Sequence, residues 1–182
     1  GQELLAVVSS SGLRMFSLGT DPSTPSVESQ YSTGINGANS VELAQDYGTG
    51  NVYAFVTESG DSQLTILDVT APASITLAQT LSSGGSKEFM NVEDVAVDFG
   101  GGLAVTISST NGLTTIDISD PNPANWTISG NNQNAALSGA TDVVVHGNYA
   151  YAAVPGTGIQ VVDVSNPASP TIGAAPSLAN IT

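Results

Sequence analysis

Residues 141–173 read TDVVVHGNYAYAAVPGTGIQVVDVSNPASPTIG, and this stretch decides the fold. Three short apolar runs are parted by Gly- and Asn-bearing turns, and the third ends in Asp163-Val164-Ser165-Asn166-Pro167. Short runs rich in Val, Ile and Tyr, bounded by Gly, Asn and Pro, predict strands rather than helices. The same pattern is written three more times upstream, less cleanly.

The first copy opens with Leu4 to Val8, turns at Ser11-Gly12, continues through Leu13 to Leu18, and ends in a weaker run from Ser26 to Tyr31. The second places strands at Ser40 to Leu43, Val52 to Val56, Gln63 to Val69 and Ser74 to Thr80. The third runs Asp94 to Asp98, Leu103 to Ile107 and Leu113 to Ile118; its Asn111-Gly112 tolerates the positive φ of a tight hairpin turn. Laid side by side, the turn residues Gly12, Gln63, Gly112 and Gly158 stand 51, 49 and 46 residues apart. The strand after each ends at Ser17, Asp68, Asp117 or Asp163, and a proline follows four or five residues later. Four strands per unit at a period in the high forties predict an all-β fold, a β-propeller of about four four-stranded blades. A β-sandwich also has many short strands but would not repeat one turn chemistry four times. The expected organisation is one propeller domain over residues 1–182, with repeats at about 1–39, 40–91, 92–139 and 140–182.

Asp163-Val164-Ser165-Asn166-Pro167 after Gly158-Ile159-Gln160-Val161-Val162 resembles the LVIVD repeat of bacterial and archaeal extracellular surface propellers. Asp117-Ile118-Ser119-Asp120-Pro121 after Gly112-Leu113 matches it as well. The resemblance covers nearly the whole chain as four copies. The first departs most, with Ser17 in place of the Asp and Gly19-Thr20 adding a residue before Asp21-Pro22. The resemblance implies the fold and a setting outside the cytoplasm. It implies no particular chemistry, because propellers host many unrelated functions.

Closure has three readings. The first repeat lacks the opening strand that the others carry, and Ser177 to Thr182 aligns with the beginning of one. That tail would close a four-blade ring; alternatively the chain is part of a larger propeller, or copies complete one another.

Charge narrows the partners. The 182 residues carry 16 Asp and Glu against two basic residues, Arg14 and Lys87, a net charge of −14. No basic surface exists to neutralise phosphates, which excludes nucleic acid and anionic lipid as partners. With no cysteine, neither a disulfide framework nor a thiolate metal site can form. The longest apolar runs are about strand length, so no membrane span is expected, and Gly1 to Ser10 is not a signal peptide.

The turn aspartates Asp68, Asp117 and Asp163 lack the twelve-residue ligand pattern of an EF-hand loop. They read as Asx turns that cap their own backbone. A sharper set opens the innermost strands: Glu42, Asp94 and Asp142, with Asn180 in the corresponding place. Brought together around a propeller axis, these carboxylates would repel unless protonated or bridged by a cation, and Ca²⁺ is the cofactor such oxygens would take. Two steps further along the same faces come Asp46, Asp98 and His146. His146 is the only histidine, and no GxSxG, phosphate-loop or HExxH motif accompanies it. Gly100-Gly101-Gly102 is a turn between strands with no helix after it. Trp126, at the start of an outer strand, is expected to cover a blade edge. Asn125-Trp126-Thr127 and Asn180-Ile181-Thr182 fit the N-glycosylation sequon.

The expected function is therefore a non-enzymatic extracellular or cell-surface propeller, a binding or surface-assembly module for a protein or glycan partner or for copies of itself. The alternatives are a fragment of a Ca²⁺-dependent propeller hydrolase and a self-assembling filament or layer completed by strand pairing.

Overall fold

The computed structural model describes residues 4–82 and 88–173. Within them the chain is all-β, and two single-turn 3₁₀ helices, Pro123–Asn125 and Ala135–Leu137, are its helical elements. Blade 1 is the three-stranded sheet β1 (Leu4–Ser9), β2 (Gly12–Ser17), β3 (Ser26–Tyr31). Blade 2 has four strands, β4 (Ala38–Gln45), β5 (Val52–Glu58), β6 (Gln63–Asp68) and β7 (Thr76–Ser82). Blade 3 holds β8 (Val92–Asp98), β9 (Leu103–Ser108), β10 (Gly112–Asp117) and β11 (Thr127–Asn132). Blade 4 holds β12 (Asp142–His146), β13 (Tyr149–Val154), β14 (Gly158–Asp163) and the two-residue β15 (Thr171–Ile172). Every sheet is an antiparallel meander in chain order.

The repeated registers make the blades superimposable strand by strand. Leu5 pairs with Phe16, Ala54 with Leu67, Ala104 with Ile116 and Ala150 with Val162, so these four pairs are equivalent. On this register β1 is the counterpart of β5, β9 and β13. Among the described residues the first sheet has three strands and lacks the opening strand that the others carry, and the aligned tail Ser177 to Thr182 lies outside them. The third–fourth strand pairing shifts at one equivalent place in three blades, between Met15 and Phe16, Ile66 and Leu67, and Thr115 and Ile116. Such bulges bend and twist the outer strand.

Three apolar cores join neighbouring blades in turn. Leu13 and Met15 of blade 1 meet Ala54, Val56 and Leu67 of blade 2. Tyr53, Phe55, Leu64 and Ile66 on the other side of blade 2 meet Ala104, Ile116 and Trp126 of blade 3. Val105, Ile107 and Leu113 then meet Ala150, Ala152 and Val162 of blade 4. Alternate residues of one strand thus serve opposite neighbours, as the two-residue period of a strand dictates. Each fully buried Leu, Ile or Phe contributes roughly 1.5–3 kcal/mol through removal of its surface from water. The innermost strands follow the same succession, β4 on β8 and β8 on β12, and β1 lies on β4 as β5 lies on β8 and β9 on β12. Among the described residues no core joins blade 4 to blade 1.

Trp126 lies inside the blade 2–blade 3 core rather than on an edge, 2% exposed. It stacks on Phe55 with centroids 5.8 Å apart and planes at 8°, and meets Tyr53 edge-on at 5.2 Å. Its indole N–H donates to the Asp120 carbonyl at 2.7 Å, so burial leaves no donor unpaired.

Candidate functional site

The Asp-x-Ser-x-Pro turn holds the blade together and ties it to its neighbour. Asp117 Oδ1 accepts from the Ser119 N–H at 2.9 Å and from its hydroxyl at 2.6 Å. Asp68 and Asp163 accept from the N–H two residues on, each at 2.9 Å. In blade 1 the motif has slipped, and Asp21 makes the equivalent pair with Ser23, at 2.9 and 2.6 Å. These bonds, the serine hydroxyl's foremost, hold Asp21, Asp117 and Asp163 below the usual carboxylate range. In blades 2 and 4 the proline closing the turn presents its carbonyl to the preceding blade. Pro167 O accepts from Thr115 Oγ1 of blade 3 at 2.6 Å, and Pro72 O accepts from Ser29 Oγ of blade 1.

The innermost strands form a ladder from blade to blade. Val41 pairs with Val56, Val95 with Thr106 and Val143 with Ala152, which makes Ser40, Asp94 and Asp142 equivalent. This corrects the expected alignment: Glu42 stands two residues further along, level with Ala96 and Val144. Ala44, not Asp46, is level with Asp98 and His146. The expectation matched acid to acid, whereas the valine that follows, packed beside the sheet, sets the register.

Ser40 and Asp94 each reach the next blade. Ser40 Oγ donates to Asp94 Oδ1 at 2.6 Å, and Asp94 Oδ2 accepts from the Val143 N–H at 3.1 Å. Asn39 Nδ2 adds bonds to the carbonyls of Val92 at 2.7 Å and Glu93 at 3.1 Å. Burial, together with a hydrogen bond to the neighbouring Asp142 carboxyl, pushes Asp94 above its ordinary value despite these donors. Glu42 is raised too, by desolvation first and then by the Asp94 charge.

Asp94 and Asp142 therefore come together, with Glu42 close enough to feel the Asp94 charge. Both Asp94 oxygens already hold protein donors, and the described residues contain no group of three or more His, Asp and Glu side chains placed to hold a metal ion. Asp46 and Asp98 instead cap hairpin turns: Asp46 accepts from Gly48 N at 2.8 Å and Thr49 Oγ1 at 2.6 Å, and Asp98 from Gly101 N at 3.1 Å. His146 is exposed at the end of β12. Asn125 is exposed in its 3₁₀ turn with Nδ2 bonded to Asp120 at 3.0 Å; Asn180 lies outside the described residues.

Two polar residues of the ladder and its surroundings escaped the sequence reading. Ser40 carries no charge to mark it. Glu58 closes the apolar run of β5, is wholly buried, and accepts from Asn36 N at 2.7 Å through Oε2, while Oε1 has no partner.

The LVIVD repeat family model matches residues 49–82, 92–132 and 138–174. No curated protein matches the chain by sequence. Among solved structures, a candidate 6-phosphogluconolactonase from Bacteroides uniformis aligns with a TM-score of 0.67 at 14% identity, over 88% of this chain and 47% of its own. A second such protein, from Bacteroides fragilis, aligns with a TM-score of 0.65 at 12% identity over 94% and 53%. The major allergen Mala s 1 of Malassezia sympodialis gives 0.57 at 17% identity over 89% and 52%. At these identities the likeness is one of fold. The chain spans about half the length of the solved structures it matches.

Proposed function

The chain belongs to the LVIVD-repeat family, and from that premise we propose that it is a non-enzymatic extracellular β-propeller that binds a protein or glycan partner at a cell surface. The observation that carries this reading is how its acids are spent. Asp21, Asp46, Asp68, Asp98, Asp117 and Asp163 each cap a turn, and Asp94 ties three blades together through Ser40 and Val143. Polar chemistry of this kind serves the scaffold. It leaves the loops and blade surfaces, with a net charge of −14, as the means of recognition. An extracellular setting accords with the family resemblance.

The Ca²⁺-dependent hydrolase reading retains one supporting observation, the Asp94–Asp142 carboxyl pair, which a cation would relieve. We take that reading second, because each Asp94 oxygen already accepts a hydrogen bond, from Ser40 Oγ and from the Val143 N–H.

Cross-linking the purified chain to intact cells of its source, followed by mass identification, tests the proposal. A saturable cross-link to a surface protein, or elution by a defined glycan, is the expected result. A chain that captures nothing, or that hydrolyses a lactone or glycoside with turnover abolished in Asp94→Asn, would overturn it.

A further inference from the structure

The register that superimposes the blades also superimposes two clefts between them. The seam of blades 2 and 3 holds a cavity of about 410 Å³, lined by Asp68, Thr76 and Leu77 of blade 2 and by Pro121 and Asn122 of blade 3. The seam of blades 3 and 4 holds one of about 450 Å³, lined by Asp117, Thr127 and Ile128 of blade 3 and by Pro167 and Ala168 of blade 4. Asp68 pairs with Thr76 as Asp117 pairs with Thr127, and Leu67 pairs with Leu77 as Ile116 pairs with Ile128. Pro121 and Pro167 each stand four residues after the turn Asp of their own blade. The two clefts are therefore one site built twice by the repeat, on the face that carries the turn aspartates. Blades 2, 3 and 4 supply them complete, whatever covers the ends of the row.

The chemistry of the lining limits the occupant. In each cleft the Asp caps its own turn through Oδ1, and among the described residues its Oδ2 takes no donor. The threonine beside it is exposed. Leu77, 52% exposed, and the half-buried Ile128 supply with the prolines an apolar patch. Among the described residues no Lys or Arg lines either cleft, and a carboxylate ionised at neutral pH repels phosphates, sulfates and uronates. A carboxylate oxygen and a hydroxyl beside an apolar patch suit a ligand with hydroxyl donors on its edge and C–H groups on its face. A sugar ring has that character, and both volumes lie in the range of small-molecule sites, about 300–1,000 Å³. One small site repeated a blade apart suits a ligand whose own units repeat. We propose that the two clefts hold successive stretches of one neutral polysaccharide chain. This inference rests on the binding reading above and names the glycan as its partner. Either cleft alone binds weakly, and engagement of both by one chain raises the affinity without any new contact.

Native gel electrophoresis of the 182-residue chain through soluble β-1,3-glucan, β-1,4-xylan or α-mannan tests it, with polygalacturonate as the anionic comparison. At least one neutral polysaccharide should retard the chain, and polygalacturonate should not. Calorimetric titration should then show that polysaccharide bound at least about tenfold more tightly than its own disaccharide. A rise from about 0.05 to 0.5 M NaCl should leave both affinities unchanged, since no ion pair is formed. Thr76→Val and Thr127→Val keep a strand-forming residue at an exposed position and should each weaken polysaccharide binding about 3- to 10-fold, by like amounts. Ala168→Trp, which fills the second cleft from an exposed turn, should remove the advantage of polymer over disaccharide. Thr157→Val, exposed on the opposite face, should change nothing. Retardation by none of the three neutral polysaccharides, retardation by polygalacturonate alone, binding that salt abolishes, or a loss confined to one cleft would overturn the proposal. A protein captured at the cell surface by a chain that no neutral polysaccharide retards would overturn this inference and leave the binding reading standing.

Discussion

Blades 2 and 3 differ from blades 1 and 4 in what covers them, not in what they are made of. Strand β9 is buried at all six residues, whereas β1 alternates between half-buried and exposed along its six. Leu113 and Ile159 are equivalent and chemically alike, yet one is fully covered and the other 39% exposed. Burial in this architecture is supplied by the neighbouring blade, and the repeat itself provides only an apolar side. Stability should then behave as a sum of blade and interface terms, concentrated in the middle of the row.

The largest test of that difference is Trp126→Ala against Pro25→Ala, which occupy equivalent places before the outer strands of blades 3 and 1. Removing the stacked indole should cost about 3–5 kcal/mol, while the exposed Pro25 should change unfolding by less than about 0.5 kcal/mol in urea titrations. Next comes Gly112→Ala. Gly112 has φ +75°, and a Cβ there would stand 2.0 Å from the Asn132 carbonyl oxygen. Strain in the left-handed region and the displaced outer strand should cost roughly 1–3 kcal/mol, read as a lowered Tm.

Smaller effects come from the acids. Asp117 is held below its ordinary value of 3.8, so its contribution is present above that value and is lost as pH falls through the lower folded-state value. The gap in Tm between Asp117→Ala and the parent chain should therefore be open at pH 6 and close towards pH 2. Asp94 is raised above 3.8, and the sign reverses: its contribution is complete below that value and declines as pH rises through the folded-state value. Asp142→Asn, which removes the neighbouring carboxylate, should lower the Asp94 titration midpoint measured by carbon-detected NMR. The smallest expected effect is that of millimolar Ca²⁺, which should leave Tm unchanged in the parent chain and in Asp94→Asn plus Asp142→Asn alike. A calcium shift abolished in the double variant would restore the cation site.

Much of the fold was legible in the sequence because its landmarks are backbone requirements. Gly112 meets a positive φ and a close approach to Asn132, and Asp117 and Asp163 precede turns that need a side-chain acceptor. The family model matches the three later repeats and not residues 1–39, where Ser17 replaces the Asp and the sheet has three strands. The inner strands were harder to read. Glu42, Asp94 and Asp142 share a charge and the expected face, but register follows Val41, Val95 and Val143, and no charge marks Ser40 as the partner of Asp94. Trp126 looked like an edge cover because the blade that buries it lies some seventy residues upstream in sequence, at Tyr53 and Phe55.

The claim that neighbours, not repeats, bury these sides is tested most directly by urea unfolding of Leu113→Ala and Ile159→Ala. The account predicts a loss of about 2–5 kcal/mol for the first and less than about 1 kcal/mol for the second. Equal losses at the two positions would contradict it.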